Sequence, residues 1–257
     1  MPRRAGRNNF WIVVSKLVLI VCLLLRGISV NAKPLHIAVS SNFSGSLQQL
    51  LATPAFSEFE VITSEGASGT LYAQTMQGAP FDIFLSADAF YVDALIENKR
   101  VVWDQSGIYA KGRLAYIDRL DPAPTLDSLK TYALAANKKL AIAEPDLAPY
   151  GKAAEQFLST VSLWQQVLPS IVYGRNVMQV YNYYQTRHVD NAIVAYALVY
   201  DNQQHVWLIP EHYHEPIVQK WAILATSKHP KATQFVELLL SNAIQTRLSQ
   251  KGYDRVD

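Results

Sequence analysis

Leu35-His-Ile-Ala-Val-Ser-Ser-Asn-Phe-Ser-Gly-Ser-Leu-Gln-Gln-Leu-Leu51 sets the pattern for the chain. A short apolar run over Leu35–Ser40 predicts a buried strand, and Ser46–Leu51 reads as the start of a helix. Between them lie Ser41-Asn-Phe-Ser-Gly45, rich in the small hydroxyl and amide residues that cap helix N-termini. The same unit recurs. Phe59–Thr63 leads through Ser64-Glu-Gly-Ala-Ser-Gly-Thr70 into a helix over Thr70–Gln77. Lys139–Ala143 leads through Glu144-Pro-Asp-Leu-Ala-Pro-Tyr-Gly151 into Lys152–Thr160, and Ser170–Tyr173 leads through Gly174-Arg-Asn-Val177 into Met178–Thr186. Further strands are predicted at Asp82–Ser86, Arg113–Ile117, Asn191–Ala195, Val206–Ile209 and Ile217–Ala225, and further helices at Phe90–Asn98, Leu126–Ala135 and Ala232–Leu240. Such alternation predicts an α/β fold with a largely parallel sheet and right-handed crossovers. There are no repeats, low-complexity stretches or long linkers, and Asp121-Pro-Ala-Pro124 reads as a surface turn.

The 257 residues are 50% hydrophobic and 17% charged, an ordinary globular composition. Of 23 basic and 21 acidic residues, five basic and no acidic ones fall in residues 1–32, so the rest carries 18 basic against 21 acidic side chains. A body at −3 offers no basic surplus for nucleic acid. Residues 1–32 read as a secretory signal: Arg3, Arg4 and Arg7 precede the apolar run Leu17–Leu25, and Ser29-Val-Asn-Ala32 supplies small residues for cleavage before Lys33. The run is shorter than the ~20 residues a bilayer span needs. The one cysteine, Cys22, lies within it, so the mature chain has no thiol for disulfides or metal ligation. The reading is export to a bacterial periplasm.

In open α/β sheets the loops at the carboxyl ends of the strands converge on one crevice. Helix N-termini gathered there form an anion site, because unpaired N–H groups and helix dipoles both favour negative charge. Among the four junctions only Arg175 is basic. An anion held without countercharge has to be almost fully wrapped, since each hydrogen bond to a charged group contributes only ~1.5–3 kcal/mol against a large desolvation cost. A site of donors alone favours a fully ionised tetrahedral oxyanion over one that carries a proton.

Ala38-Val-Ser-Ser-Asn42, Gly66-Ala-Ser-Gly-Thr-Leu-Tyr-Ala-Gln74, Gly78-Ala-Pro-Phe-Asp-Ile-Phe-Leu-Ser-Ala-Asp88 and Ala148-Pro-Tyr-Gly151 resemble the periplasmic molybdate-binding proteins of ABC transporters. Asn176-Val177, Tyr213-His-Glu-Pro-Ile-Val218 and Lys251-Gly-Tyr253 extend the likeness over nearly the whole mature chain. The resemblance implies the two-lobed periplasmic binding protein fold of type II. Each lobe is then a mixed, mostly parallel sheet flanked by helices, with residues 33–112 plus 217–257 in one lobe, 113–216 in the other, and hinges near Lys111–Leu114 and Glu215–Val218. It implies high-affinity binding of molybdate or tungstate in the interlobe cleft by a monomer that delivers the ion to a membrane permease, with no cofactor, no other metal and no catalysis. Hydroxyls of Ser41 and Ser68 and backbone N–H groups near Ser41, Asn42, Ser68 and Val177 are the implied ligands, with Ala67, Gly151 and Asn176 in support. The family's ligand tyrosine matches Tyr150 in one branch. In another branch it matches Ala195, which makes Tyr196 a neighbour only. Ala67 stands where many relatives have serine, one hydroxyl fewer.

Other readings compete. Gly66-Ala-Ser-Gly69 lacks the spacing of a nucleophile elbow, though a hydrolase triad built from scattered histidines stays open. Glu211-His-Tyr-His-Glu215 has residue types that ligate Zn²⁺, against a plain reading as a surface loop. The same fold also takes sulfate, phosphate or a small organic acid, since fold does not fix ligand. Tyr181 and Tyr184, on one helix face, and Trp103, Trp164 and Trp207 are read as packing residues.

Overall fold

A computed structural model describes residues 33–135, 138–202 and 204–256. The segment read as a signal lies outside these residues.

The strands sort into two five-stranded sheets. Strands β1 (Leu35–Ser40), β2 (Val61–Gly66), β3 (Ile83–Leu85), β4 (Val101–Gly112) and β10 (Ile217–Leu224) form the first, in the order β2-β1-β3-β10-β4. The second holds β5 (Leu114–Asp118), β6 (Leu140–Ala143), β7 (Ile171–Gly174), β8 (Asn191–Ala195) and β9 (Val206–Leu208), in the order β7-β6-β8-β5-β9. In each, four strands run in one direction and a single strand, β10 in the first and β5 in the second, runs against its two neighbours, so the sheets are mixed. The chain leaves the first sheet after Gly112, enters the second at Leu114 and returns at Ile217, which pairs with Gly112.

Helices α1 (Ser41–Leu51), α2 (Ser68–Met76), α3 (Phe90–Glu97), α4 (Leu126–Leu134), α5 (Pro149–Thr160), α6 (Trp164–Val167), α7 (Val177–Gln185), α8 (Ala232–Leu240) and α9 (Asn242–Ser249) complete the regular structure. Among the described residues no helix is long and apolar enough to cross a membrane. Helices α1, α2, α5 and α7 start one to five residues before their predicted onset. Apolar periodicity sees only the second turn, whereas Ser41–Ser44, Ser68–Gly69 and Pro149–Gly151 already have helical backbone. Proline at the first helical position suits this, since its missing N–H would have had no intrahelical acceptor.

The predicted elements omit α6, α9 and β4. Helix α9 follows α8 after the single residue Ser241, so the two read as one ending. Strand β4 escapes because its pairing with β10 is interrupted: Ala222 faces Ser106 but Leu224 faces Val101, and residues 102–105 form an excursion that breaks the alternation. That excursion corrects the packing role expected of Trp103, whose side chain it lifts into solvent at 93% exposure.

Beneath the first sheet, Phe56, Phe59 and Phe235 meet edge to face or tilted at centroid distances of 5.3–6.0 Å, among Phe43, Leu47 and Leu239. The second sheet has its own core around Tyr116, Ile142, Phe157 and Ile193. Phe235 is fully buried. Phe235→Ala is therefore expected to cost about 3–5 kcal/mol in urea unfolding, the usual range for emptying an aromatic core position. A loss below about 1 kcal/mol would show that the three rings are not a supporting cluster.

Candidate functional site

The parallel strands of both sheets end at a shared enclosure. Ser40 ends β1 and leads into Ser41 and Asn42, Gly66 ends β2 and leads into Ala67 and Ser68, and Ala87 follows β3. Ala148, Pro149 and Tyr150 follow β6, and Val177 follows β7. The remaining space is about 10 Å³ for the centre of a water-sized sphere, roughly one such group. In this conformation it suits a small ion and leaves no room for a sugar or peptide. No lining residue is charged, and none is histidine. Arg175 is exposed to solvent.

The first turns of α1, α2, α5 and α7 border the enclosure. The first four N–H groups of a helix lack intrahelical acceptors, and no side chain caps α1, α2 or α5. Only α7 is capped, by Asn176, whose Oδ1 accepts from Gln179 N–H at 2.9 Å. Dipoles and uncapped donors thus bring positive potential to a site without a cation.

The side chains follow the same polarity. Ser68 Oγ, fully buried, accepts from Ala87 N–H at 2.9 Å, which leaves its own hydrogen to give. In Tyr150, a residue 2% exposed, Oη accepts from Gln219 Nε2 at 3.1 Å and more weakly from Asn42 Nδ2 at 3.5 Å, so the phenol proton too has no protein acceptor. Burial pushes this phenol well above its ordinary range, with the neighbouring phenols Tyr253 and Tyr109 adding to the effect. Tyr150 stays a protonated donor at any physiological pH. Ser40 Oγ, also in the lining, is buried without a partner.

Of the residues singled out in the sequence, Ser41, Asn42, Ala67, Ser68, Tyr150 and Val177 all line this one enclosure. Gly151 and Asn176 do not. Gly151 packs where a Cβ would overlap the Ala143 carbonyl, and Asn176 is the helix cap described above. The Asn42 amide donates to Gln219 Oε1 at 3.1 Å, and its own Oδ1 is buried without a partner. Tyr196 is not in the lining and carries the Arg113 guanidinium 5.7 Å above its ring. Sequence reasoning missed Gln219, whose one signal was a polar residue at an inward position of an apolar strand. At Glu211-His-Tyr-His-Glu215, residues 211–213 form a 3₁₀ turn, so His212 and His214 do not alternate on a strand. Glu215 accepts from Gln156 and pairs with Lys152, which together hold its carboxyl below the usual range. Among the described residues no cluster of three or more His, Cys, Asp or Glu side chains is arranged to hold a metal ion.

Residues 35–254 match the model of the bacterial extracellular solute-binding proteins. The chain belongs to that family. The solute-binding protein is 30% identical over 251 residues to a molybdate-binding protein, ModA, of Azotobacter vinelandii, covering 93% of this chain and 97% of that one. It is 31% identical over 222 residues to a ModA of Rhodobacter capsulatus, covering 84% and 86%. The solved structure of the Azotobacter vinelandii periplasmic molybdate-binding protein superposes with a TM-score of 0.79 at 28% identity, over 87% of this chain and all of that one. The fold is therefore the two-lobed one of periplasmic binding proteins, with two mixed sheets flanked by helices.

The close approach at Gly112 gives a test of the site in the absence of any ligand. A Cβ there would overlap the Tyr150 hydroxyl and press on the Gln219 amide. Gly112→Ala is expected to lower stability by about 1–3 kcal/mol, the range for overpacking, read from the urea midpoint. An unchanged midpoint would mean that Tyr150 is not held against the strand.

Proposed function

We propose that this solute-binding protein captures molybdate or tungstate in the periplasm and delivers the ion to an ABC permease, acting as a monomer without catalysis, cofactor or resident metal. The observation that carries the reading is the uncharged enclosure in which hydroxyls and uncapped helix N-termini from both sheets present donors and no available carboxylate. In this reading Ser41, Ser68 and Tyr150 give hydroxyl hydrogen bonds, and N–H groups of Ser41, Asn42, Ser68 and Val177 complete the cage. Ala67 shapes the wall, Asn176 fixes the start of α7, and Gly151 lets α5 approach β6. Residues 33–112 with 217–257 form one lobe and 113–216 the other, and they close about Lys111–Leu114 and Glu215–Val218 because only the closed form lets the anion bond both at once. Residues 1–32 direct export. The names of the relatives support the choice of oxyanion.

Selectivity is steric and protonic. Sulfate is smaller than molybdate and leaves bonds long in a rigid cage, while hydrogen phosphate carries a proton for which the lining offers little to accept it. Molybdate and tungstate are nearly equal in size and are hardly separated.

Calorimetric titration of the purified protein with molybdate, tungstate, sulfate and phosphate tests this directly. Similar tight binding of the first two and much weaker binding of the others is expected, and no heat with molybdate at millimolar concentration would end the proposal. Ser68→Ala and Tyr150→Phe should each weaken molybdate binding by ~1.5–3 kcal/mol, the worth of a bond to a charged group. Unchanged isotherms would show that these hydroxyls point elsewhere. Because the Tyr150 phenol is pushed upward and no histidine or carboxylate lines the enclosure, affinity should be flat from pH 7 to pH 9. A steep change in that interval would implicate another titrating ligand.

A further inference from the structure

Gln219 is fully buried in β10, the strand on which the chain returns from the second sheet, and does not itself line the enclosure. It is the junction of a polar network. Its Oε1 accepts from Tyr109 Oη at 2.9 Å and from Asn42 Nδ2 at 3.1 Å. Its Nε2 donates to Tyr150 Oη at 3.1 Å. The network continues to Tyr253, whose hydroxyl donates to the Asn42 carbonyl at 2.9 Å. Two first-sheet segments (α1 and β4) and the leading turn of α5 from the other side therefore meet on one amide.

An amide has two unlike ends, and here they are not interchangeable in effect. With Oε1 occupied by two donors, the Nε2 end faces Tyr150 and fills a lone pair of its oxygen. A phenol has one hydrogen. If the oxygen is occupied from behind by N–H groups, that hydrogen turns forward, into the enclosure. If an acceptor stood behind it instead, the phenol would donate backward and present lone pairs to an anion.

We infer that Gln219 is a positioning residue that makes Tyr150 an obligate donor, and so sets the site's preference for fully ionised oxyanions over protonated ones. The inference rests on the oxyanion reading above and adds a residue that touches no ligand.

Replacing the amide by a titratable isostere tests it. In Gln219→Glu the ionised carboxylate accepts a hydrogen bond from the phenol O–H and so turns Tyr150 backward, whereas the protonated acid still has an O–H to give. The titratable side chains in contact with this network are the phenols of Tyr109 on β4, Tyr150 on α5 and Tyr253 near the C-terminus, all raised by burial. Asp254, the chain neighbour of Tyr253, pairs with Arg113 at 3.8 Å. None of the phenols titrates between pH 5 and pH 8, so any pH dependence gained belongs to the new carboxyl.

Molybdate titrations at pH 5.5–8.5 should give a flat profile for the wild type. Gln219→Glu should bind at least tenfold more weakly at the alkaline end and recover toward acid. In Gln219→Glu combined with Tyr150→Phe, no phenol remains to be reversed, and most of that pH dependence should vanish. Gln219→Met keeps the volume without hydrogen bonds and serves as the folding control, with an intermediate, pH-independent loss expected. If the wild type binds molybdate but Gln219→Glu loses affinity equally at all pH values, or the double variant keeps the full pH dependence, the positioning role is overturned. If the wild type itself binds no molybdate, it is the oxyanion reading that fails. Should Gln219→Glu not fold, Gln219→Met decides: wild-type affinity in that variant overturns the inference.

Discussion

An anion without a countercharge has to be surrounded by hydrogen-bond donors, and that requirement organises this molecule. Desolvating an ion costs far more than any one hydrogen bond returns, so donors must converge from several directions. A single chain segment cannot supply them. Two sheets with matching topology can, because in each the parallel strands end at helix starts whose first N–H groups are unspent. The uncapped N-termini of α1, α2 and α5 would be small defects elsewhere. Here they are the source of the site's potential. A capping carboxylate at these positions would satisfy the helix and spoil the enclosure, and the serine that does stand there, Ser40 before α1, makes no capping bond. Of the four bordering helices α7 alone is capped, and its cap, Asn176, is not part of the lining.

The hydroxyls obey a second rule. Two of those in the lining have their oxygen filled from behind and their hydrogen left to give: Ser68 by the Ala87 N–H, Tyr150 by the amides of Gln219 and Asn42. This makes the polarity of the enclosure a property of the surrounding protein as well as of its lining. It also explains a concentration of buried polar groups, Asn42, Tyr109, Tyr150, Gln219 and Tyr253, that would be costly in an ordinary core. Cross-sheet contacts at the rim, Gly69 N–H to Leu147 carbonyl at 3.0 Å and Tyr91 hydroxyl to Asp146 carbonyl at 3.3 Å, hold the same geometry without charged partners.

Much of this was legible in the residues. Strands β1 and β8 and helix α8 run between the predicted limits, since apolar runs bounded by polar residues carry their own ends. The strand-to-helix junctions pointed to an anion because hydroxyl, amide and glycine residues recur there without lysine. What escaped had no periodic signature. Strand β4 is interrupted by the excursion at residues 102–105, and α9 is separated from α8 by Ser241 alone. Gln219 was invisible as a functional residue because its meaning lies in partners from residues 42, 109 and 150, which only the fold assembles. Trp103 shows the converse failure: a large apolar residue that composition assigns to the interior and a local register shift puts in solvent.

The most direct measurement is the anomalous difference density of crystals grown with tungstate. The account predicts one strong peak in the enclosure, within hydrogen-bonding reach of the hydroxyls of Ser41, Ser68 and Tyr150 and the first-turn N–H groups of α1 and α7, with no charged side chain in contact. A peak outside the enclosure, or one held by a lysine or arginine, would contradict it.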